Sequence, residues 1–231
     1  MRVLIMGAAG MVGQKLLNRI LFEESGIDNP SELYLHDIVP AHVPSGANGC
    51  SVLVGNVADP AEAKKLADLK PDLIFHLASI VSGEAELEFE KGWKINMSGA
   101  WSLLEALRVH HDQSGGSYRP KLIFTSSIAV FGAPFPARIT DEFFCTPQTS
   151  YGAQKAIVES CCFLITAERA LLMRFPFACP QFVFVPVSQI WQPLPFSLAL
   201  SVNRLMVLRQ FCQSAMMCVI GMLRPVLQRG F

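Results

Sequence analysis

The chain has 231 residues, with 19 basic and 19 acidic side chains and an apolar share of 51%. That is length and apolar content enough for a real core, which excludes a disordered chain. The even charge excludes a phosphate-neutralising surface, so neither nucleic acid nor an anionic membrane is expected as a partner.

The chain opens with RVLIMGAAGMVGQKLLNRIL: a short apolar run, a glycine turn, then apolar residues at helical spacing (Val12, Leu16, Leu17, Ile20). That pattern predicts strand, tight turn and helix. With so few apolar residues before the first glycine there is no long signal segment, and a cytoplasmic address is the default expectation. Further apolar runs follow at ELYLHD, CSVLVGN, DLIFHLAS and KLIFTSS, separated by the helical patterns PAEAKKLADL and INMSGAWSLLEALRVHH. Strands alternating with helices predict an α/β fold, a Rossmann-like doubly wound parallel sheet covered on both faces.

Such sheets bind ligands at the carboxyl ends of their strands. Polar and glycine residues collect there: Gly7 to Gly13, Asp37, Asn56, then Ala78 and Ser79, then Ser126 and Ser127. Gly7, Gly10 and Gly13 have GxxGxxG spacing. The first allows a sharp turn, the second a close approach to a pyrophosphate, and the third a close packing of helix on strand. Asp37 stands where a carboxylate accepts both hydroxyls of an adenosine ribose and repels a 2′-phosphate, which favours NAD over NADP. His36 and His76 are read as strand-end packing residues. A tyrosine and a lysine one helical turn apart, Tyr151 and Lys155, share a helix face, and the lysine charge is expected to lower the tyrosine pKa. Ser127 is expected to hydrogen-bond the substrate oxygen that gains or loses a proton. The cysteines lack metal-ligand spacing, and no metal site is expected.

Through GAAGMVG, HLAS, INMSGAWSLLEA, TSSIAVFG and TDEFFCTPQTSYGAQKA, which span residues 1 to 159, the chain resembles the extended short-chain dehydrogenase/reductases, the group of NAD-dependent sugar epimerases and dehydratases. The resemblance implies Ser127, Tyr151 and Lys155 as catalytic residues, with Asn96 as their associated asparagine. It implies a cofactor site of Gly7, Ala9, Gly10, Met11, Val12, Gly13, Asp37, Asn56, Val57, Leu77, Ala78, Ser79, Asn96, Tyr151 and Lys155. Asn56 departs from the aspartate often found at that strand end. Within the group the motifs look most like the branch that oxidises a four-carbon 2-hydroxy sugar acid with NAD. A nucleotide-sugar epimerase or dehydratase shares the same motifs, and a non-catalytic NAD-binding protein shares the glycine turn. The resemblance also implies homodimers through the helices near residues 95 to 110 and from 151 onward.

Residues 160–231 read differently. Beyond Glu168 there is no Asp, Glu or Lys, yet Arg174, Arg204, Arg209, Arg224 and Arg229 remain, and five of the seven cysteines follow Ser160. The window LALSVNRLMVLRQFCQSAMMCVIGML is broken by Asn203, Arg204, Arg209 and Gln210. Two central arginines cost about 5 to 7 kcal/mol on insertion scales, so no membrane span is expected. The family should continue here with another strand and a small substrate domain. Codon degeneracy permits family-like segments one register away, such as LLLSDYSR from Ser160 and IRLPTICVRPG across Arg174 to Val187. These features predict a reading-frame shift at or just after Glu159. On that reading residues 1–159 form the NAD-binding domain, 160–231 are an aberrant tail, the catalytic helix is cut short, and turnover is poor.

Overall fold

The computed structural model describes residues 1–22, 27, 30–135, 139 and 143–169. Five strands form one parallel sheet in the order β3-β2-β1-β4-β5: β1 (Arg2–Met6), β2 (Glu32–Asp37), β3 (Cys50–Val54), β4 (Leu73–His76) and β5 (Lys121–Phe124). All five expected strands are present and parallel. The register sets Met6 opposite both His36 and His76, so the three central strands end level with one another. Because β1 has β2 on one side and β4 on the other, the chain reverses direction there and a crevice opens at the carboxyl edge.

Alternation along β1 explains why the sheet is covered twice. Val3 and Ile5 face one side, where they pack with Leu33, Leu35, Phe75 and the Leu16, Leu17 and Ile20 stripe of α1 (Met11–Phe22). Leu4 and Met6 face the other, with Ile74, Leu66 of α2 (Pro60–Asp68) and Leu103 and Leu107 of α5 (Gly99–Gln113). Each fully buried leucine or phenylalanine contributes about 1.5 to 3 kcal/mol, and the two layers together hold the strand ends in place. At its start α2 is capped by Asp59, whose side chain accepts from Ala61 N at 2.9 Å, with Pro60 at the first helical position.

Between β4 and α5 lie α3 (Ser82–Leu87) and α4 (Phe89–Gly92), which hydrophobic spacing did not reveal, and a π-helical stretch, Trp93–Ser98, at the start of the helical pattern expected from Ile95 onward. Neither α3 nor α4 has a side-chain cap, so packing rather than local signals sustains them. The last helix, α6, runs from Ser150 to Arg169 and so continues past Glu159. The expectation that the catalytic helix is cut short at that point is corrected: the residues after Glu159 sustain a helix in their own right. There Ile165 packs on Leu104, with Cys161 and Cys162 alongside. No helix among the described residues is long and apolar enough to cross a membrane. The window considered for that role, and residues 170–231 of the expected tail, lie outside the described residues.

Candidate functional site

The three glycines of the first turn do different work. Gly7 has φ +86°, and a Cβ there would stand 2.7 Å from Ala78 N. Its N–H donates to His36 O at 2.9 Å. Gly13 is buried, and its Cβ would fall 2.2 Å from Gly7 O. Both glycines are therefore demanded by the protein's own packing. Gly10 is exposed, and its Cβ would meet nothing nearer than Gly7 O at 3.4 Å. Protein packing does not require a glycine there. An outside group approaching the backbone at the start of α1 would require one. Met11 and Val12 begin that helix, exposed and half-buried respectively.

Asp37 ends β2, with one carboxylate oxygen accepting from Ala9 N at 2.9 Å and the other from Ile38 N at 2.7 Å. The first bond ties the turn to the second strand, and each oxygen keeps a further lone pair that can accept a hydrogen bond. Asn56 folds back on its own turn, its Oδ1 accepting from Ala58 N at 3.0 Å. The amide oxygen thus does the local work an aspartate oxygen would do, and the amide nitrogen remains as a donor group. A groove lined by Asn56, Ala58, Phe89, Lys94 and Ile95 opens beside it. Val57 is fixed from behind, since a Cβ on Gly99 would stand 2.5 Å from its carbonyl oxygen. Leu77 and Ala78 form the wall that Gly7 abuts, and Leu77 N donates to Met6 O at 2.9 Å.

Across the crevice stands the amino end of α6. Thr149 caps it, its Oγ1 accepting from Gly152 N at 3.0 Å. Glu86 of α3 adds a carboxylate that accepts from Tyr151 N at 3.0 Å and Ser150 Oγ at 2.8 Å. A negative group suits the positive end of the helix dipole. Gly152 brings the helix hard against the turn after β5, because a Cβ there would fall 2.1 Å from Ala129 O. That turn, Ile128–Val130, is capped by Ser127, whose Oγ accepts from Ala129 N at 3.1 Å.

These contacts bring Tyr151, Ser127 and Ser79 together. Burial raises the Tyr151 pKa, and the neighbouring Ser127 and Ser79 hydroxyls oppose that rise without cancelling it. Lys155 is 1% exposed. Its Nζ donates to Thr125 O at 3.0 Å and lies 4.7 Å from the centre of the Phe124 ring and 5.7 Å from that of Tyr151. Burial lowers its pKa to about 8, and Glu159 opposes the shift. The expected lowering of the tyrosine pKa is thus corrected in its net direction, because burial outweighs the groups that lower it. The ammonium is held by a backbone carbonyl and an aromatic face, and the serine hydroxyls do the lowering. Ser79, expected beside the cofactor, is one of them.

Asn96 is buried in the π-helical stretch. Its Oδ1 accepts from Ile80 N at 2.9 Å, and its Nδ2 donates to Ile80 O at 3.2 Å and to Gln154 Oε1 at 2.8 Å. Its amide is thus spent on the loop after β4 and on α6. His36 and His76 are buried at strand ends, the reading made from the sequence. Burial first, and then the Lys155 charge, pushes His76 down to about 3, and its ring packs edge-on against Phe124. Burial also lowers His36, against the opposing pull of Glu62, 3.4 Å away. Among the described residues no group of His, Cys, Asp and Glu is arranged to hold a metal ion. Sequence reasoning missed Glu86, Thr149 and Gln154. Thr149, a threonine just ahead of the helix, carried a readable capping signal, whereas Glu86 lies 65 residues from the backbone N–H it accepts from.

The sequence matches the NAD dependent epimerase/dehydratase family over residues 3–176. It is 36% identical over 167 residues to a D-erythronate dehydrogenase of Cupriavidus necator, covering 69% of this chain and 48% of that protein. Among solved structures it is similar to a nucleoside-diphosphate-sugar epimerase from Agrobacterium tumefaciens, with 45% identity and a TM-score of 0.69 over 75% of this chain and 50% of that one. A uronate dehydrogenase from the same organism, solved as a mutant complexed with NAD, is 25% identical with a TM-score of 0.59, covering 74% and 57% of the two chains. The chain thus spans about half the length of the relatives it matches.

Proposed function

The chain belongs to the NAD dependent epimerase/dehydratase family, and we propose that it carries the dinucleotide-binding and proton-transfer half of an oxidoreductase for a small 2-hydroxy sugar acid of the D-erythronate type. The observation that carries this reading is the grouping of Tyr151 with the Ser127 and Ser79 hydroxyls, one helical turn from a buried Lys155. All of it faces the strand ends that bear the glycine turn.

The residues fit NAD. Gly10 leaves open the approach to the α1 amino end, where Gly7 to Gly13 would hold the pyrophosphate. Asp37 would accept the adenosine ribose hydroxyls, and Asn56 with Val57 would border the adenine. Leu77, Ala78 and Ser79 would form the inner wall. When bound, NAD supplies the hydride acceptor. Tyr151 would take the proton from the substrate hydroxyl, and Ser127 would steady that oxygen. The two serine hydroxyls offset part of the cost of a buried tyrosinate, since they donate to its oxygen. Lys155 would hold the nicotinamide ribose and add positive charge near the phenol when protonated.

A second reading, a nucleoside-diphosphate-sugar epimerase, is favoured by the 45% identity to the Agrobacterium structure bearing that description. It uses the same proton-transfer group on a larger substrate. We also propose that the rest of the substrate wall is encoded out of frame after Glu159, which accounts for the missing carboxylates and lysines. The chain as written then binds NAD but turns over poorly, because the reacting atoms lose their positioning.

One experiment addresses all three points: NAD reduction by D-erythronate, and epimerisation of nucleoside-diphosphate sugars, by this chain and by a version with the frame restored at codon 160. Oxidation of D-erythronate by the restored protein alone is the expected result. Epimerisation instead would replace the substrate assignment. Equal activity of the two proteins, or a gene with no family-like frame overlapping codons 160 to 231, would remove the frame-shift proposal.

A further inference from the structure

We propose that Gln154 is a positioning residue that sets the width of the cleft between the loop after β4 and the Tyr151–Lys155 face of α6. The proposal rests on the reading of that cleft as the nicotinamide end of the NAD site. Gln154 lies one turn along α6 from Tyr151 and is fully buried. Its Oε1 accepts from Asn96 Nδ2 at 2.8 Å, and Asn96 grips both backbone groups of Ile80. Ile80 directly follows Ser79, whose hydroxyl meets that of Tyr151. Two buried amides therefore join the two walls of the cleft, from the helix that carries the proton-transfer group to the loop that carries its second serine.

The surrounding backbone is built to let them meet. Asn96 sits in the π-helical stretch, closed by a bond from Gly99 N to Lys94 O, five residues back. Such a wide turn displaces side chains from the regular helical register and is common at functional sites. Gly92, just before it, clears space for Gln154, since a Cβ there would lie 2.9 Å from Gln154 Nε2. That Nε2 is buried without a hydrogen-bond partner among the described residues. A position serving packing alone would be better filled by methionine, which strands no N–H donor in the interior. Here half of the amide goes unpaired while the other half is committed to Asn96. The bond to Asn96 is what the glutamine supplies.

The test is NAD binding by the full chain, measured by titration calorimetry beside thermal unfolding without ligand. Gln154→Met is expected to weaken NAD binding about fivefold, the scale of one internal hydrogen bond, with Tm little changed because the stranded Gln154 N–H goes while one N–H of Asn96 loses its acceptor. Gln154→Glu keeps an acceptor facing Asn96 and is expected to stay within about twofold of wild type. In an Asn96→Ala background Gln154→Met should add nothing further, because both changes break the same link. The proposal is overturned if Gln154→Met binds NAD as wild type does, or if its loss adds in full to that of Asn96→Ala. It is also overturned if Gln154→Glu loses affinity as Gln154→Met does. Failure of the unsubstituted chain to bind NAD would overturn the site reading and this proposal with it, and it is told apart by appearing before any substitution is made.

Discussion

The two ends of the crevice are built by different means. At the glycine turn the three glycines fall within one short segment, which is tied to the ends of β2 and β4. Gly7 takes its left-handed φ hard against Ala78, Gly13 seats α1 on the turn, and Asp37 reaches back from β2 to Ala9. At the Tyr151 end the parts come from far apart in the chain. Glu86 caps α6 from α3, Ala129 meets Gly152, and Asn96 reaches Gln154 across 58 residues. Packing completes both ends, but the first carries its glycines as a spaced motif in one segment, whereas the second is assembled from α3, the π-helical stretch and α6. Substitutions within the glycine turn should therefore differ among themselves, some acting on stability and some on binding.

The strongest test of this contrast lies within the turn itself. Gly13→Ala drives a Cβ into the Gly7 carbonyl and should destabilise the fold by about 3 kcal/mol or more in urea unfolding, since backbone cannot yield as a side chain can. Gly10→Ala should leave urea stability unchanged and weaken NAD binding about tenfold, if an outside pyrophosphate is what needs that space. Equal effects of the two on stability would erase the distinction between them.

At the other end, pH supplies the next effect. The folded-state pKa of Lys155 is about 8, against 10.5 for the free side chain. Between those values this side chain binds more protons in the unfolded chain than in the folded one, so its contribution to stability rises with pH there. The Lys155 contribution from pH 8 to 10 should be about 2 kcal/mol in urea unfolding, read as the difference between wild type and Lys155→Met because the raised thiol of Cys162 and phenol of Tyr118 act in the opposite sense. A Lys155→Met profile parallel to wild type would mean that the amine is solvated. The smallest effect is expected at Glu86. Removing this exposed cap with Glu86→Ala should cost about 0.5 to 1 kcal/mol of stability. It should also shift the pH dependence that reports Lys155, because the cap and the buried amine share one helix. No change in either measurement would uncouple α3 from α6.

Legibility in the sequence follows the same division. The five strands, the glycine turn and Asp37 were readable because period, turn chemistry and strand-end position are local signals. The Tyr151–Lys155 pair was readable as a spacing, but its electrostatics were not. Whether the ammonium faces the phenol or the Thr125 carbonyl depends on where β5 ends relative to α6. The α3 and α4 segments carry no periodic signal of their own because each is sustained by what it packs against. Gln154 was hidden for the same reason: its partner comes from another element, and nothing within the YGAQK motif marks that it has one.

The burial of Lys155 also has a chemical consequence. An amine with a lowered pKa is a strong nucleophile near neutrality, yet this one lies behind the Phe124 ring and the Thr125 carbonyl with almost no surface. Amine-directed reagents should label exposed lysines such as Lys65 and Lys94 at once and reach Lys155 only when α6 draws away from β5. The slow phase of labelling is then a clock for the breathing of that wall.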